Sequence, residues 1–324
     1  MSTVLGDGKY SYRVIDDWVK LPEDYEFTDV GSVAVDRDDY VYVFNRGTRP
    51  MMVFDSRGNF VTSWGEGIFS RPHGLSIDAD GNLLCTDDGD HTVRKFTTSG
   101  KLLLTLGVPG KASAFMSGVP FHRCTHTAVA EDGAIYVADG YGNAAVHKFA
   151  PDGKLLTSWG KPGTGPGEFN LVHNIVVDAD GWVYVADREN HRIQVFSADG
   201  KYETQWHDLH RPCALVHYLD GDESLFIVGE LGPALMANLR YKNLGPRISI
   251  MDSDGRVISR LGGADGPGVG DGEFMAPHGI AVDSKGSIYV GEVPYINWGQ
   301  SFPDRPRPEK LRSLQKLERI GASI

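Results

Sequence analysis

Thr127-Ala-Val-Ala130, Glu131-Asp-Gly133, Ile135-Tyr-Val-Ala-Asp139, Gly140-Tyr-Gly-Asn143, Ala145-Val-His-Lys-Phe149, Pro151-Asp-Gly153 and Lys154-Leu-Leu-Thr-Ser-Trp159 follow one another along one stretch of the chain. The apolar runs are short and rich in β-branched and aromatic residues. Asp-Gly pairs separate them, a strong hairpin signal. The stretch therefore predicts four antiparallel strands. The same unit recurs near Ser32, His73, Thr125, His173 and His278, with a degenerate copy near Cys213. Six four-stranded repeats predict an all-β, six-bladed β-propeller. The blades run over about 31–64, 73–106, 125–159, 173–206, 213–262 and 278–320. The last copy runs out of chain after a third strand at 314–320. Tyr10–Trp18 looks like the missing outer strand, so the N-terminal strand is expected to complete blade six and close the ring. The 324 residues then form a single domain. Two insertions, 231–244 and 294–310, each follow a second strand and should share one face.

Composition narrows the function. The chain is 41% hydrophobic and 23% charged, as in ordinary soluble domains. A net charge of −11 without a basic run argues against nucleic acid or an anionic membrane as partner. No apolar stretch is long enough for a membrane helix. The first residues lack a basic and an apolar signal region. Cys85, Cys124 and Cys213 are few, odd in number and widely spaced. A cytoplasmic, reduced protein is expected.

Three repeats begin alike: Arg71-Pro-His-Gly-Leu, Leu171-Val-His-Asn-Ile and Ala276-Pro-His-Gly-Ile. Their histidines, His73, His173 and His278, recur at every second repeat. Alternate blades of a closed ring can converge on one axial point. Three imidazoles there describe a transition-metal site with an open position, zinc or a similar divalent ion being the natural occupant. Each histidine immediately precedes its inner strand. The plainer reading is that such a histidine only caps the strand.

The loops after the second strands supply a further layer: Arg46, Asp88, Tyr141, Arg188, Glu230 and Glu292. Arg46 and Arg188 offer planar forks for a carboxylate. Two arginines facing a metal in an acidic protein imply a small anionic or carbonyl-bearing substrate. Tyr141, flanked by glycines, can act as a base. Glu230 and Glu292 either bind substrate or serve the structure. Tyr295 and Trp298, in the blade-six insertion, are expected to shape a lid over the substrate.

At these residues the chain resembles a known family. The blades look like NHL repeats. Val137-Ala-Asp-Gly-Tyr-Gly-Asn143 through Val185-Ala-Asp-Arg-Glu-Asn-His-Arg-Ile-Gln-Val-Phe196 is similar to peptidyl-α-hydroxyglycine α-amidating lyase. The resemblance implies a six-bladed propeller that cleaves the C–N bond of a carbinolamide. It implies zinc on His73, His173 and His278, a base at Tyr141, and arginines at Arg46 and Arg188. Three positions depart from it. Ala276 replaces a methionine. Gly279 replaces the acidic residue that serves a structural calcium. Gly142 replaces the cysteine after the tyrosine. The expected activity is metal-dependent C–N lysis of a small carboxylate-bearing metabolite. The alternatives are a metal-dependent hydrolase or hydratase using metal-bound water, and a non-catalytic NHL interaction module.

Overall fold

Each of the six repeats folds into an antiparallel sheet in a computed structural model, which describes residues 2–239, 241–263 and 265–321. Arg240, in the first insertion, and Ala264, in the glycine-rich stretch 262–274, lie outside the described residues. The chain divides into two compact units, Trp64–Asp208 and Met1–Ser63 with Leu209–Ile324.

Trp64–Asp208 holds three four-stranded sheets. They are Pro72–Ile77, Leu83–Asp87, Thr92–Phe96, Leu102–Leu106; then Cys124–Val129, Ile135–Asp139, Ala145–Phe149, Leu155–Trp159; then Val172–Val177, Val183–Asp187, Arg192–Phe196, Tyr202–Trp206. The other unit holds Val30–Val35, Val41–Asn45, Met51–Phe54, Phe60–Trp64 and a longer blade, Pro212–Asp220, Glu223–Glu230, Arg247–Met251, Val257–Leu261. Its third sheet pairs Pro277–Val282, Ile288–Glu292 and Leu314–Arg319 with Tyr12–Ile15. The N-terminal strand thus completes the last blade, as the repeat count requires. A fifth strand, Val4–Leu5, adds to its outer edge. The fold is a six-bladed β-propeller.

The sheets follow from local chemistry. At the first turns, Asp78 Oδ1 accepts the N–H groups of Asp80 (3.0 Å) and Asn82 (2.8 Å). Gly81, at φ +82°, supplies the left-handed step such a turn needs. The second strands are buried throughout, whereas an outer strand such as Leu155–Trp159 is largely exposed. Tyr136, Val146, Phe169, Ile175, Val185 and Phe196 pack between two of the sheets of Trp64–Asp208. Ile227, Ile248, Phe274, Ile288 and Leu317 do the same in the other unit. Burying each such side chain contributes about 1.5–3 kcal/mol.

One clasp recurs in every blade. The last residue of the second strand is Asn45, Asp87, Asp139, Asp187, Glu230 or Glu292, and all six are almost fully buried. Each accepts a backbone N–H from the segment leading into its own inner strand: Thr28 (3.0 Å), Arg71 (2.8 Å), His122 (3.0 Å), Asn170 (2.7 Å), His210 (2.5 Å) and Met275 (2.7 Å). The clasp holds the entry to the inner strand in place.

Both insertions lie in the second unit. Within the second insertion residues 294–301 form a helix, Pro294–Ser301. Proline at its first position suits a helix start. Gln300 Nε2 donates to Ala234 O at 2.7 Å, so the two insertions touch, as their common position after a second strand predicts. Among the described residues no helix is long and apolar enough to cross a membrane, and the three cysteines are free and buried.

Candidate metal centre

Each inner strand contains a bulge at its second residue. Pairing runs Pro72↔Asp87 and then Gly74↔Thr86, so His73 is the extra residue. Thr125, His173, Cys213, His278 and Gly31 are skipped in the same way. A bulge leaves one residue out of the ladder and re-aims its side chain. The histidines therefore lie within their strands, one residue past the start, and not ahead of them as the repeat pattern suggested.

His73 Nδ1 lies 2.7 Å from Thr125 O, and His278 Nδ1 lies 2.7 Å from Gly31 O. A carbonyl can only accept, so each Nδ1 carries the proton and each Nε2 is left unprotonated, able to act as a donor atom to a metal. All three histidines are buried, at 1–6% exposure. They form one group whose ligand nitrogens all lie within 4.8 Å of one another. Neutral imidazoles with oriented lone pairs are a donor set that fits a divalent transition metal.

Tyr141 projects from the loop after Ile135–Asp139. Its phenol oxygen is 3.1 Å from His73 Nε2 and 3.2 Å from His173 Nε2. The phenol thus stands within hydrogen-bond distance of two imidazole nitrogens of the group.

Arg188 is buried, and its guanidinium lies 5.7 Å from the centre of the Tyr141 ring. Its Nε donates to Glu189 Oε1 at 2.8 Å. Arg46 follows Val41–Asn45 in the other unit. It is half-buried, with its backbone N–H donating to Asp29 O at 2.8 Å.

Glu230, Glu292 and Trp298 are each engaged by neighbouring groups of their own blade. The two carboxylates occupy the clasp position, one residue earlier in the repeat than Arg46, Asp88 and Arg188. Glu230 is bound by Arg247 Nε (2.8 Å), Arg247 Nη2 (2.9 Å), Ser249 and the His210 N–H. Glu292 accepts Met275 N (2.7 Å) and Ala276 N (3.1 Å), and burial pushes its carboxyl above the usual range. Trp298 is buried in its own insertion, donating to Arg305 O at 3.0 Å and packing on Phe302. Tyr295 is half-buried there. Its backbone N–H reaches Asp29 Oδ1 (2.9 Å), and its phenol accepts Leu311 N (3.0 Å).

Sequence reasoning missed Arg123. It stands two residues before Thr125 in the left-handed region, at φ +61°. Its guanidinium lies 4.8 Å from the Tyr141 ring centre, nearer than that of Arg188. The signal was present: Arg71 and Arg211 hold the same place before His73 and Cys213.

Comparisons with known proteins agree with this fold. A family described as a 6-bladed β-propeller matches residues 125–227. The chain is 32% identical to NHL repeat-containing protein 3 of Homo sapiens over 302 residues, covering 88% of this chain and 82% of that protein. It is 31% identical to peptidyl-alpha-hydroxyglycine alpha-amidating lyase 1 of Drosophila melanogaster over 288 residues, covering 82% of this chain and 49% of that one, about half of its length. Among solved structures, a gluconolactonase from Xanthomonas campestris superposes with a TM-score of 0.61 at 14% identity, over 96% of this chain and 91% of that one. That last likeness is one of fold alone.

Proposed function

We propose that this chain, which belongs to the family of NHL-repeat six-bladed β-propeller proteins, is a metal-dependent lyase that breaks a C–N bond at a hydroxylated carbon of a small anionic substrate. The observation that carries the reading is the Tyr141 phenol held within hydrogen-bond reach of both His73 Nε2 and His173 Nε2. A base placed beside a three-histidine donor set suits the collapse of a carbinolamide. The lyase-named relative supports the same reaction class.

His73, His173 and His278 would hold the metal, zinc being the natural choice for three imidazoles, and when bound it supplies a Lewis acid for a substrate oxygen. Tyr141, acting in its phenolate form, takes the proton of the substrate hydroxyl. The O–H electron pair becomes the second C–O bond, and the C–N pair leaves with nitrogen. That nitrogen gains a proton, which Tyr141 can return. The products are an amide and an α-keto or aldehyde acid, so atoms and charge balance. Arg188, beside the Tyr141 ring, and Arg46 steady the substrate carboxylate. A reducing compartment such as the cytoplasm suits the three buried thiols.

The test uses N-benzoyl-α-hydroxyglycine and measures glyoxylate release by the purified protein, before and after chelation and with zinc added back. Zinc-restored release supports the reading. No release from metal-loaded protein, with lactone or ester hydrolysis in its place, would favour a hydrolase.

A further inference from the structure

Arg188 is paired with Glu189 through its Nε. A second cation stands beside Tyr141. Asp88 follows Leu83–Asp87, and its side chain is fully buried. Its Oδ2 accepts Arg71 Nη1 (2.6 Å), Arg123 Nη2 (2.7 Å) and Arg123 Nε (3.2 Å). Two guanidiniums on one carboxylate leave a net charge of about +1, in a protein that carries −11 overall. The Arg123 side chain is 41% exposed, so solvent and solutes reach it. Among the described residues its Nη1 has no partner.

We infer that Arg123, braced by Asp88 and Arg71, is a specificity-determining residue that reads a second carboxylate on the substrate, beside Tyr141. This rests on the lyase reading of the same site. The argument is geometric. Asp88 takes Nε and Nη2, which fixes the plane of the guanidinium. The remaining Nη1 protons are then presented without further loss of side-chain freedom, a preorganised half of a carboxylate fork. The ring of Tyr141 lies 4.8 Å from that guanidinium, which places the carboxylate seat next to the reacting bond. The substrate class is therefore a dicarboxylate, such as an α-hydroxyglycine whose acyl group ends in an acid.

Binding can be read without turnover. Succinate and butyrate are titrated calorimetrically into the purified full-length protein and into Arg123→Gln, Arg123→Lys and Asp88→Asn. One charge-assisted hydrogen bond corresponds to about tenfold or more in affinity. Succinate should bind the unmodified protein at least about tenfold tighter than butyrate, and Arg123→Gln should erase most of that ratio. Arg123→Lys should keep part of it. Asp88→Asn should weaken it by freeing the guanidinium. Equal succinate affinity in Arg123→Gln, or no preference for succinate in the unmodified protein, overturns the assignment. Failure of the lyase reading shows separately, as absent glyoxylate release with the succinate preference intact. Should both assays work, N-succinyl-α-hydroxyglycine should outrun N-butyryl-α-hydroxyglycine in kcat/KM, and Arg123→Gln should narrow that ratio.

Discussion

The phenol oxygen of Tyr141 stands 3.1 Å from Nε2 of His73, whose opposite nitrogen is tied to a backbone carbonyl. One residue belongs to an inner strand, the other to the loop after a second strand of the next blade. Their meeting turns two features of a repeat into one chemical site.

Removing the phenol tests its role as base. Tyr141→Phe keeps the ring under Arg123 and Arg188 and removes only the hydroxyl. Glyoxylate release should fall by roughly 10²- to 10⁴-fold, with an unchanged thermal midpoint. Activity within threefold of the unmodified protein would take Tyr141 out of the base role.

The donor set is tested by metal content. The unmodified protein should carry about one transition-metal equivalent after purification or zinc loading, measured by elemental analysis. His173→Ala should retain well under half of that, because two imidazoles bind far more weakly than three. Full metal content in His73→Ala, His173→Ala and His278→Ala alike would remove the site from these residues.

The clasp is tested by stability. Asp187 accepts Asn170 N (2.7 Å), Asn190 Nδ2 (2.8 Å) and the buried Arg192 Nε (2.8 Å). Asp187→Ala leaves Arg192 a buried charge without its carboxylate, at a cost of about 3–5 kcal/mol. Urea denaturation reads the loss directly. A change below about 1 kcal/mol would mean that the clasp is not the support proposed for these strands.

His126 predicts an acid limb in stability. Burial lowers its imidazole from 6.5 to about 4, and its Nδ1 is closed to solvent. The folded-state value lies below the unfolded one, so the unfolded chain binds the proton first. Stability from this group is present above pH 6.5 and is lost as pH falls toward 4. His126→Gln should flatten the fall in thermal midpoint over that window. Parallel pH curves for the two proteins would show that His126 does not contribute.

Much of this was legible in the chain. Hairpin signals at Glu131-Asp-Gly133 and Pro151-Asp-Gly153 are local, because a turn depends on its own four residues. Short continuous apolar runs such as Ile135–Asp139, bounded by turn residues, read directly as strands. The histidines were legible because a repeat carries equivalent residues to equivalent places. The registration of Glu230 and Glu292 was not, because a loop position and the last strand position differ by one residue, and only hydrogen bonds to Met275 and His210 tell them apart. The helix Pro294–Ser301 was missed because it is only 8 residues long, too short for its periodicity to stand out within the insertion. Val4–Leu5 is too short to announce itself.

By itself, then, the sequence determined the number of blades, the strand that completes the last one, and the identity of three candidate ligands. All of these follow from periodicity, which is a property of the chain. Only the tertiary structure decided which imidazole nitrogen meets a backbone carbonyl, that each histidine sits on a bulge, that Glu230 and Glu292 are engaged in the clasp, and that Arg123 lies over Tyr141. Those are relations between residues distant in sequence, and they are set by the packing of one blade against the next.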